Sequence, residues 1–308
     1  MTVLSAGHLF TDLNQGAVAA LLPFLVSERG LTLAAAGALV LAATVSSSVV
    51  QPLFGVFSDK RPLPVLMPFG VLLGGMGMAL VGVAPSYPLI FLCVVLSGIG
   101  VAAFHPEAAR FANYVSGSRR ARGMSFFSVG GNAGVALGPV LATPLVLLLG
   151  LPGALLLAMP AAVMAAVLFY EIPRMLGFKP ETVEKEGGEP VEAPEHWGPF
   201  ARMIGVVVVR SFVYFGLVAF VASYYERELE VSPALGNAAL AVMLSGGAAG
   251  PSSWAPSQIG SGAARSSAPP CSCCRRSSSA LRSPGRFWGW RCSPSSARPP
   301  WGPSALPW

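Results

Sequence analysis

Charged residues are scarce in this chain, and their scarcity excludes an ordinary soluble domain. They form 11% of the 308 residues, against 53% hydrophobic residues, whereas soluble domains carry about 25% charged residues. The mean hydropathy is +0.62. The composition therefore predicts an all-α membrane protein that crosses the cell inner (plasma) membrane several times.

Acidic residues are absent from residues 251–308, which hold seven of the 20 lysines and arginines. The remaining 13 basic residues face 14 acidic ones, so the formal charge of +6 belongs to this tail. A basic tail beside a nearly neutral apolar region is no argument for nucleic-acid binding. We expect no nucleic-acid partner.

Cysteine and histidine are also rare, with five and three residues. Four of the cysteines lie in the tail with no histidine among them, a composition that does not favour a zinc site. Nucleophile elbows and phosphate-binding glycine loops are absent. We therefore expect no metal, no cofactor and no enzyme. A membrane-embedded enzyme is a remote alternative, which hydrolysis by the purified protein would revive.

Long apolar stretches recur along the chain, each near the roughly 20 residues that a helix needs to cross the hydrocarbon core. Six lie at 3–27, 32–57, 63–84, 86–111, 123–148 and 151–173, a seventh at 199–225, and an eighth begins near Pro233. The sequence thus predicts a six-helix half at 1–173 and a cytoplasmic linker at 174–198. The start of a second half follows at 199–250, and a Ser/Pro/Arg-rich, disordered tail at 251–308.

Charge placement predicts the orientation of these spans. Cations collect between spans two and three, between four and five, and after six. The positive-inside rule then puts the N-terminus in the cytoplasm. The first span holds polar residues and lacks a basic segment before it, which argues against a cleaved signal peptide.

A weak internal repeat relates spans one and two to spans seven and eight, at an offset of about 199 residues. Gly16, Glu28-Arg29 and Gly37 find counterparts in Gly216, Glu226-Arg227 and Gly236. Parallel repeats of six spans each are one transporter architecture. The repeat favours a protein built from two similar halves.

The tail makes sense as a frameshift product. When new codons combine the third base of one codon with the next two bases, Trp254 followed by Ala255 becomes glycine. Gln258 followed by Ile259 becomes Asp or Asn, and Ile259 followed by Gly260 becomes Arg for two of the three isoleucine codons. The result is Gly-x-x-x-Asp-Arg, and the alternative is a genuine disordered tail.

The same pattern occurs upstream as Gly55-Val-Phe-Ser-Asp59-Lys60-Arg61, which we interpret as a short charged gating loop between spans two and three. Glycine permits close helix approach, and the aspartate can pair with the neighbouring cations and with helix ends. Pro62 follows this loop.

Span five carries Gly130, Gly134, Gly138 and Pro139. Glycines four residues apart permit close helix contact, and proline bends a helix. This motif therefore predicts helix packing.

The loop, the six-plus-linker layout and the repeat together resemble the major facilitator superfamily, although Pro62 stands where that loop often has glycine. Three further strings look like its fosmidomycin-resistance branch, which exports a phosphonate antibiotic. They run from Gly7 to Gly16, from Gly98 to Glu107 and from Ser125 to Asn132. The resemblance covers residues 1 to about 250 and implies a transporter of that kind.

Ionisable groups within spans are costly in lipid and usually face a cavity or a partner. His8, Asp12 and Gln15 are four and three residues apart, so they share one helical face in the span that also holds Asn14. Asp12 is a candidate proton carrier if burial favours its neutral form. Alternatively, span one begins late and Asp12 is an N-cap at the interface.

Span four holds a second candidate group. His105 and Glu107 flank Pro106, and Arg110 follows one turn later. Together they could bind an anion or relay protons, or Glu107 and Arg110 could form a structural pair. Asn132 in span five and Arg210 in span seven complete the candidate pathway. A cation at Arg210 suits an anionic substrate, although pairing with a carboxylate is equally open.

These features predict export of a small polar or anionic compound, driven by protons, as two six-helix halves rock in the bilayer. The partners would be the lipid bilayer, the small-molecule substrate and protons. The alternative is a nonfunctional truncated product of a frameshifted transporter gene.

Overall fold

A computed structural model describes residues 1–60, 62–177 and 197–246 of the chain. The regular structure of these residues is helical. Its helices are α1 (Thr2–Arg29), α2 (Leu33–Lys60), α3 (Leu66–Val81), α4 (Tyr87–Ser116), α5 (Arg120–Leu149), α6 (Ala158–Leu176), α7 (Trp197–Glu228) and α8 (Pro233–Gly246). A 3-10 segment at Leu151–Leu157 leads into α6. Arg61, most of the predicted linker and the whole tail lie outside the described residues.

Length and composition allow six of these segments to cross a membrane, while α3 and α8 are shorter. The predicted third span at 63–84 is a helix of only 16 residues. Pro62 and Pro64 stand before it, and the residue before a proline disfavours helical backbone. Its start is therefore delayed to Leu66.

The prediction of a loop at 55–61 is wrong for the residues that the structure describes. Gly55, Asp59 and Lys60 belong to the last two turns of α2. An isolated glycine weakens a helix by only about 1 kcal/mol, so it does not end one. Pro62 is the strong helix-stopping signal here, and α2 continues almost up to it.

Helix α1 lies at the centre of the described residues. In its most apolar window 83% of the residues are buried, compared with 28% in α2 and 11% in α7. The more exposed helices carry large apolar side chains on their outer faces, such as Leu41, Val45 and Val49 of α2. Extended apolar surface of this kind suits a membrane. The polar residues of α1 are therefore enclosed by protein.

Backbone-to-backbone packing joins α1 to α5. A Cβ atom on the glycines of the predicted motif would meet the α1 backbone at Ser5 (from Gly130), Leu9 (from Gly134) and Gly16 (from Gly138). Small residues spaced four apart along a helix let two helix axes approach closely in a membrane. We call this contact the glycine seam.

The predicted repeat reappears in local geometry at an offset of 200 residues. Gly30 and Glu230 both have left-handed backbone, with φ of 64° and 52°. Each turn then supplies a hydroxyl that accepts a hydrogen bond at the start of the next helix. Thr32 Oγ1 accepts from the Ala35 amide at 3.1 Å, and Ser232 Oγ from the Leu235 amide at 3.4 Å. The turns after α1 and α7 are thus built alike.

Candidate functional site

Three ionisable side chains meet where α1 faces α4. Asp12 Oδ2 lies 3.1 Å from His8 Nε2, and Asp12 Oδ1 lies 3.2 Å from His105 Nε2. The two Nε2 atoms are 3.2 Å apart. We call His8, Asp12 and His105 the triad. The sequence predicted the His8–Asp12 face, whereas it grouped His105 with Glu107 and Arg110.

The backbone sets the tautomer of both histidines. His8 Nδ1 lies 2.8 Å from the Phe127 carbonyl oxygen, and His105 Nδ1 lies 2.8 Å from that of Val101. A carbonyl oxygen only accepts, so each Nδ1 carries a hydrogen and donates it. In the neutral imidazole each Nε2 is then a bare acceptor that points at the other two members of the triad.

The triad is shielded from the surroundings. The side chains of His8 and Asp12 are 11% and 12% exposed, and that of His105 is 19% exposed. The His8 ring stacks on Phe127 with a centroid separation of 4.1 Å. Across the described residues, no lysine or arginine forms an ion pair with Asp12. Helix α1 begins at Thr2 with Met1 as its N-cap, so the N-cap alternative for Asp12 is wrong.

Glu107 and Arg110 form a separate cluster one turn further along α4. The Glu107 side chain is fully buried, and its Oε1 accepts from Arg110 Nη2 at 2.7 Å and from the Leu63 amide at 2.9 Å. Its Oε2 accepts from the Ser58 hydroxyl, and Arg110 also donates to the Ser58 carbonyl oxygen. We call this the α2–α4 clamp, because it ties the end of α2 and the connection to α3 onto α4. The single His/Glu/Arg group expected from the sequence is therefore two groups.

The other residues predicted at the gating loop lie outside this clamp. Asp59 and Lys60 are exposed, and the four ion pairs found among the described residues do not include them. A Cβ on Gly55 would meet none of the described residues within 4 Å. The buried carboxylate at this end of α2 is Glu107, which the sequence placed in span four without a partner on α2.

Two further polar residues of α1 follow the triad along the chain. Asn14 is buried and donates to the Phe10 and Thr11 carbonyl oxygens, both at 3.2 Å. Gln15 is half-buried and lines a cavity of about 80 Å³ between α1, α2, α5 and α7, together with Thr44 and Tyr214. Because a water occupies about 30 Å³ of liquid volume, this space suits a few waters.

Asn132 and Arg210 are not part of the triad. Asn132 is half-buried on α5 beside Gly131 and makes no side-chain hydrogen bond to another described residue. Arg210 is exposed on α7, where it borders a shallow surface pocket with Arg202. The structure therefore leaves the predicted cation of α7 apart from the polar centre of α1.

Gly131 is a site residue that sequence reasoning missed. A Cβ there would overlap the His8 ring and lie 2.8 Å from Asp12 Oδ2. The residue lies within the string from Ser125 to Asn132 that resembles the fosmidomycin-resistance branch, but its contact with α1 depends on the register of the glycine seam. The Phe127 and Val101 carbonyl groups were missed for the same reason, since no sequence pattern marks a backbone acceptor.

Comparisons with known proteins agree with this architecture. The model of the family described as Major Facilitator Superfamily matches residues 4–264. The fosmidomycin resistance protein of Escherichia coli (strain K12) is 38% identical over 143 residues, which are 46% of this chain and 35% of that protein. An uncharacterised transporter of the same type from Bacillus subtilis (strain 168) is 33% identical over 150 residues, 49% of this chain and 37% of that protein. The matched segment thus spans little more than a third of each relative.

A solved structure shows the same fold. It is a bacterial homologue of the human lysosomal transporter Spinster in an inward-facing, occupied conformation. The TM-score is 0.59 at 16% identity, with 77% of this chain and 55% of that chain covered.

Proposed function

The chain belongs to the Major Facilitator Superfamily, and from this premise we propose that it is an exporter of a small polar or anionic compound, driven by proton uptake at the triad. The fosmidomycin-resistance relative supports a phosphonate-like substrate. Members of this superfamily bind substrate near the bilayer midplane between two six-helix halves that rock against each other. The described residues comprise one such half and the first helices of the next.

The number of hydrogen-bond donors and acceptors in the triad supports the proposal of proton coupling. With both Nδ1 hydrogens committed to carbonyl groups, the two neutral Nε2 atoms and an ionised Asp12 offer only lone pairs to one another. Three acceptors at 3.1–3.2 Å repel unless a proton lies between them. One added proton supplies a donor to this group.

That same proton also removes a net charge. An ionised Asp12 with two neutral histidines has a formal charge of −1, and one proton brings the group to zero. A buried, unpaired charge is expensive in a membrane protein, and no arginine or lysine offsets it within the part of the chain that the structure describes. The one-proton triad therefore suits the closed protein, and hydration of the site would favour release.

Gln15 extends the polar face of α1 from the triad into the small cavity beside α7. Water there would connect the proton site to the interface between the two halves. Cations after even-numbered helices support an N-terminus in the cytoplasm. In this proposal the triad exchanges protons with each side of the membrane in turn as the two halves rock against each other.

Efflux measurements test this proposal. Cells that lack a fosmidomycin exporter would express either the 308-residue chain or the protein translated from the frame-restored gene, and accumulation of labelled fosmidomycin would be followed under an imposed proton gradient. We expect export by the frame-restored protein, its loss in Asp12→Asn, and its retention in Glu28→Gln, which removes an exposed carboxylate at the end of the same helix. Undiminished export by Asp12→Asn would refute proton coupling through the triad.

The alternative is that the 308-residue chain is a nonfunctional truncated product and does not export substrate. The codon arithmetic of the tail favours it, because an alternative frame yields the same charged motif at the repeat offset. We expect cells with the 308-residue chain to accumulate as much substrate as cells with an empty vector. Active efflux by that chain would refute the requirement for a complete second half.

A further inference from the structure

The triad combines two imidazoles and a carboxylate, and we propose that it binds a divalent transition-metal ion of the Zn²⁺ type. Each of the three residues offers a ligand atom, and these atoms lie within 4.8 Å of one another. Nitrogen and carboxylate oxygen ligands suit Zn²⁺ and its transition-metal neighbours better than Ca²⁺ or Mg²⁺, which prefer oxygen alone.

Ligand spacing is the first argument. Zinc bonds to histidine nitrogen and carboxylate oxygen are about 2.0–2.1 Å long, so two ligands of a tetrahedral ion lie about 3.3 Å apart. The three closest separations in the triad are 3.1, 3.2 and 3.2 Å. The Asp12 separations use two different oxygens, Oδ2 toward His8 and Oδ1 toward His105, and with one ligand atom from each residue the three atoms lie within 4.8 Å of one another. The two imidazole nitrogens therefore already stand at the edge length of a coordination tetrahedron, and an ion binds all three residues once one Asp12 oxygen turns toward both nitrogens.

The outer contacts of the histidines are the second argument. Histidines that bind metals usually donate the hydrogen of their other ring nitrogen to a carboxylate, a carbonyl group or water, which fixes the tautomer and aims the free lone pair. Both histidines of the triad have this arrangement, at 2.8 Å to Phe127 and Val101. Both free lone pairs belong to Nε2, the atoms that face Asp12.

The third argument is that one buried carboxylate oxygen of Asp12 has no hydrogen-bond donor in the part of the chain that the structure describes. Its Oδ1 is buried and receives no well-aligned hydrogen bond from any described residue, although His105 Nε2 lies 3.2 Å away. In the neutral imidazole this Nε2 carries no hydrogen to donate, whereas a bound cation would satisfy the oxygen directly. With three protein ligands, the ion would keep a fourth position for water or for an anionic group.

The proton and the metal ion use the same lone pairs, so they exclude each other. Metal binding is measured on the purified chain without any transport, and export is measured without added metal. Failure of either proposal therefore leaves the other intact.

Cobalt(II) titration of the full 308-residue chain tests the metal proposal, because Co²⁺ reports its ligands by visible absorption. The protein would be purified without a polyhistidine tag, and the four tail cysteines, which could bind metal themselves, would be changed to serine (Cys271, Cys273, Cys274 and Cys292). We expect one ion per chain with a spectrum of nitrogen and oxygen ligands, displaced by Zn²⁺. Since loss of an outer contact alone weakens metal binding about 10–100-fold, His105→Gln and Asp12→Asn should each weaken it by more than about 100-fold.

His196→Gln is the matched control, because it removes the one histidine outside the triad, and we expect it to leave the affinity unchanged. Unchanged affinity in both His105→Gln and Asp12→Asn would overturn the proposal, as would loss of binding in His196→Gln. X-ray absorption of the Zn²⁺-loaded protein with its tail cysteines intact does not depend on how the variants fold. Two imidazoles with oxygen ligands are expected, and a sulfur shell would place the ion elsewhere.

Discussion

Replacing Glu107 by Gln should destabilise the protein far more than the same change at Glu171. Both glutamates pair with an arginine three residues later on the same helix, Glu107 with Arg110 at 2.7 Å and Glu171 with Arg174 at 2.6 Å. Both arginines also lie over an aromatic ring of their own helix, at 5.7 and 5.8 Å from the ring centroid. The two pairs therefore match in spacing, partner and aromatic contact.

Burial is what separates the pairs. The side chains of Glu107 and Arg110 are 0% and 15% exposed, whereas those of Glu171 and Arg174 are 19% and 69% exposed. Removing one partner of a buried pair costs about 3–5 kcal/mol, because it leaves an uncompensated charge. An exposed pair on one helix is worth about 0.2–0.5 kcal/mol. The equilibrium constant of unfolding should thus change by two to four powers of ten in Glu107→Gln and by about twofold in Glu171→Gln.

Unfolding of the purified chain by titration from a mild detergent into dodecyl sulfate, followed by circular dichroism, measures both values. A double variant, Glu107→Gln with Arg110→Gln, should recover part of the loss because it removes the stranded cation. Equal shifts for the two single variants would refute the conclusion that burial determines the strength of the α2–α4 clamp. No recovery in the double variant would show that the hydrogen bonds to Ser58 and Leu63 matter more than the charge.

The remaining predictions concern the seam, the repeat and the gene. Gly134→Ala should lower the free energy of unfolding by about 1–3 kcal/mol, because the added methyl group overlaps α1. The control is Gly216→Ala, whose Cβ meets no described residue and which should be neutral or slightly stabilising. The same detergent titration measures both. Glu230→Gly should stabilise by about 1 kcal/mol, since its φ of 52° costs a side-chain-bearing residue more than glycine; a lower unfolding midpoint would contradict this. Asn237→Leu should cost only about 0.6 kcal/mol, the typical worth of one hydrogen bond between membrane helices, here from Asn237 Nδ2 to the Ala20 carbonyl at 3.0 Å. Resequencing codons 245–260 should reveal a single-base correction that restores Gly-x-x-x-Asp-Arg, and confirmation of the present frame would contradict this prediction.

Hydropathy predicted the helices well because the bilayer imposes length and composition on each span. The predicted stretch at 123–148 corresponds to α5 (Arg120–Leu149), and the stretch at 199–225 to α7 (Trp197–Glu228). The end of α2 was mispredicted because a charged segment with glycine resembles a loop in composition, although helical hydrogen bonds tolerate it. Charge and glycine content alone do not distinguish a helix end at the interface from a connecting turn.

The site was only partly predictable, since contacts between helices depend on register. The four-residue spacing of His8 and Asp12 within one helix was sufficient to put them on one face. His105 joins them, rather than its near neighbour Glu107, because two residues along a helix turn the side chain by about 200°. Only the packing of α4 against α1 decides which of these two side chains meets Asp12.

The glycine seam makes α1 and α5 a single mechanical part. Sliding one helix past the other by a turn means a translation of about 5.4 Å, and the interlocked backbones at Gly130, Gly134 and Gly138 oppose any such slip. The Phe127 carbonyl group that accepts the hydrogen bond from His8 is on α5. By fixing α5 relative to α1, the seam also fixes the orientation of this imidazole toward Asp12. In any conformational change of the protein, α1 and α5 should therefore move together, and His8 should keep its position relative to Asp12. The protonation or ligation of Asp12 can then change only through groups on the other helices or through solvent.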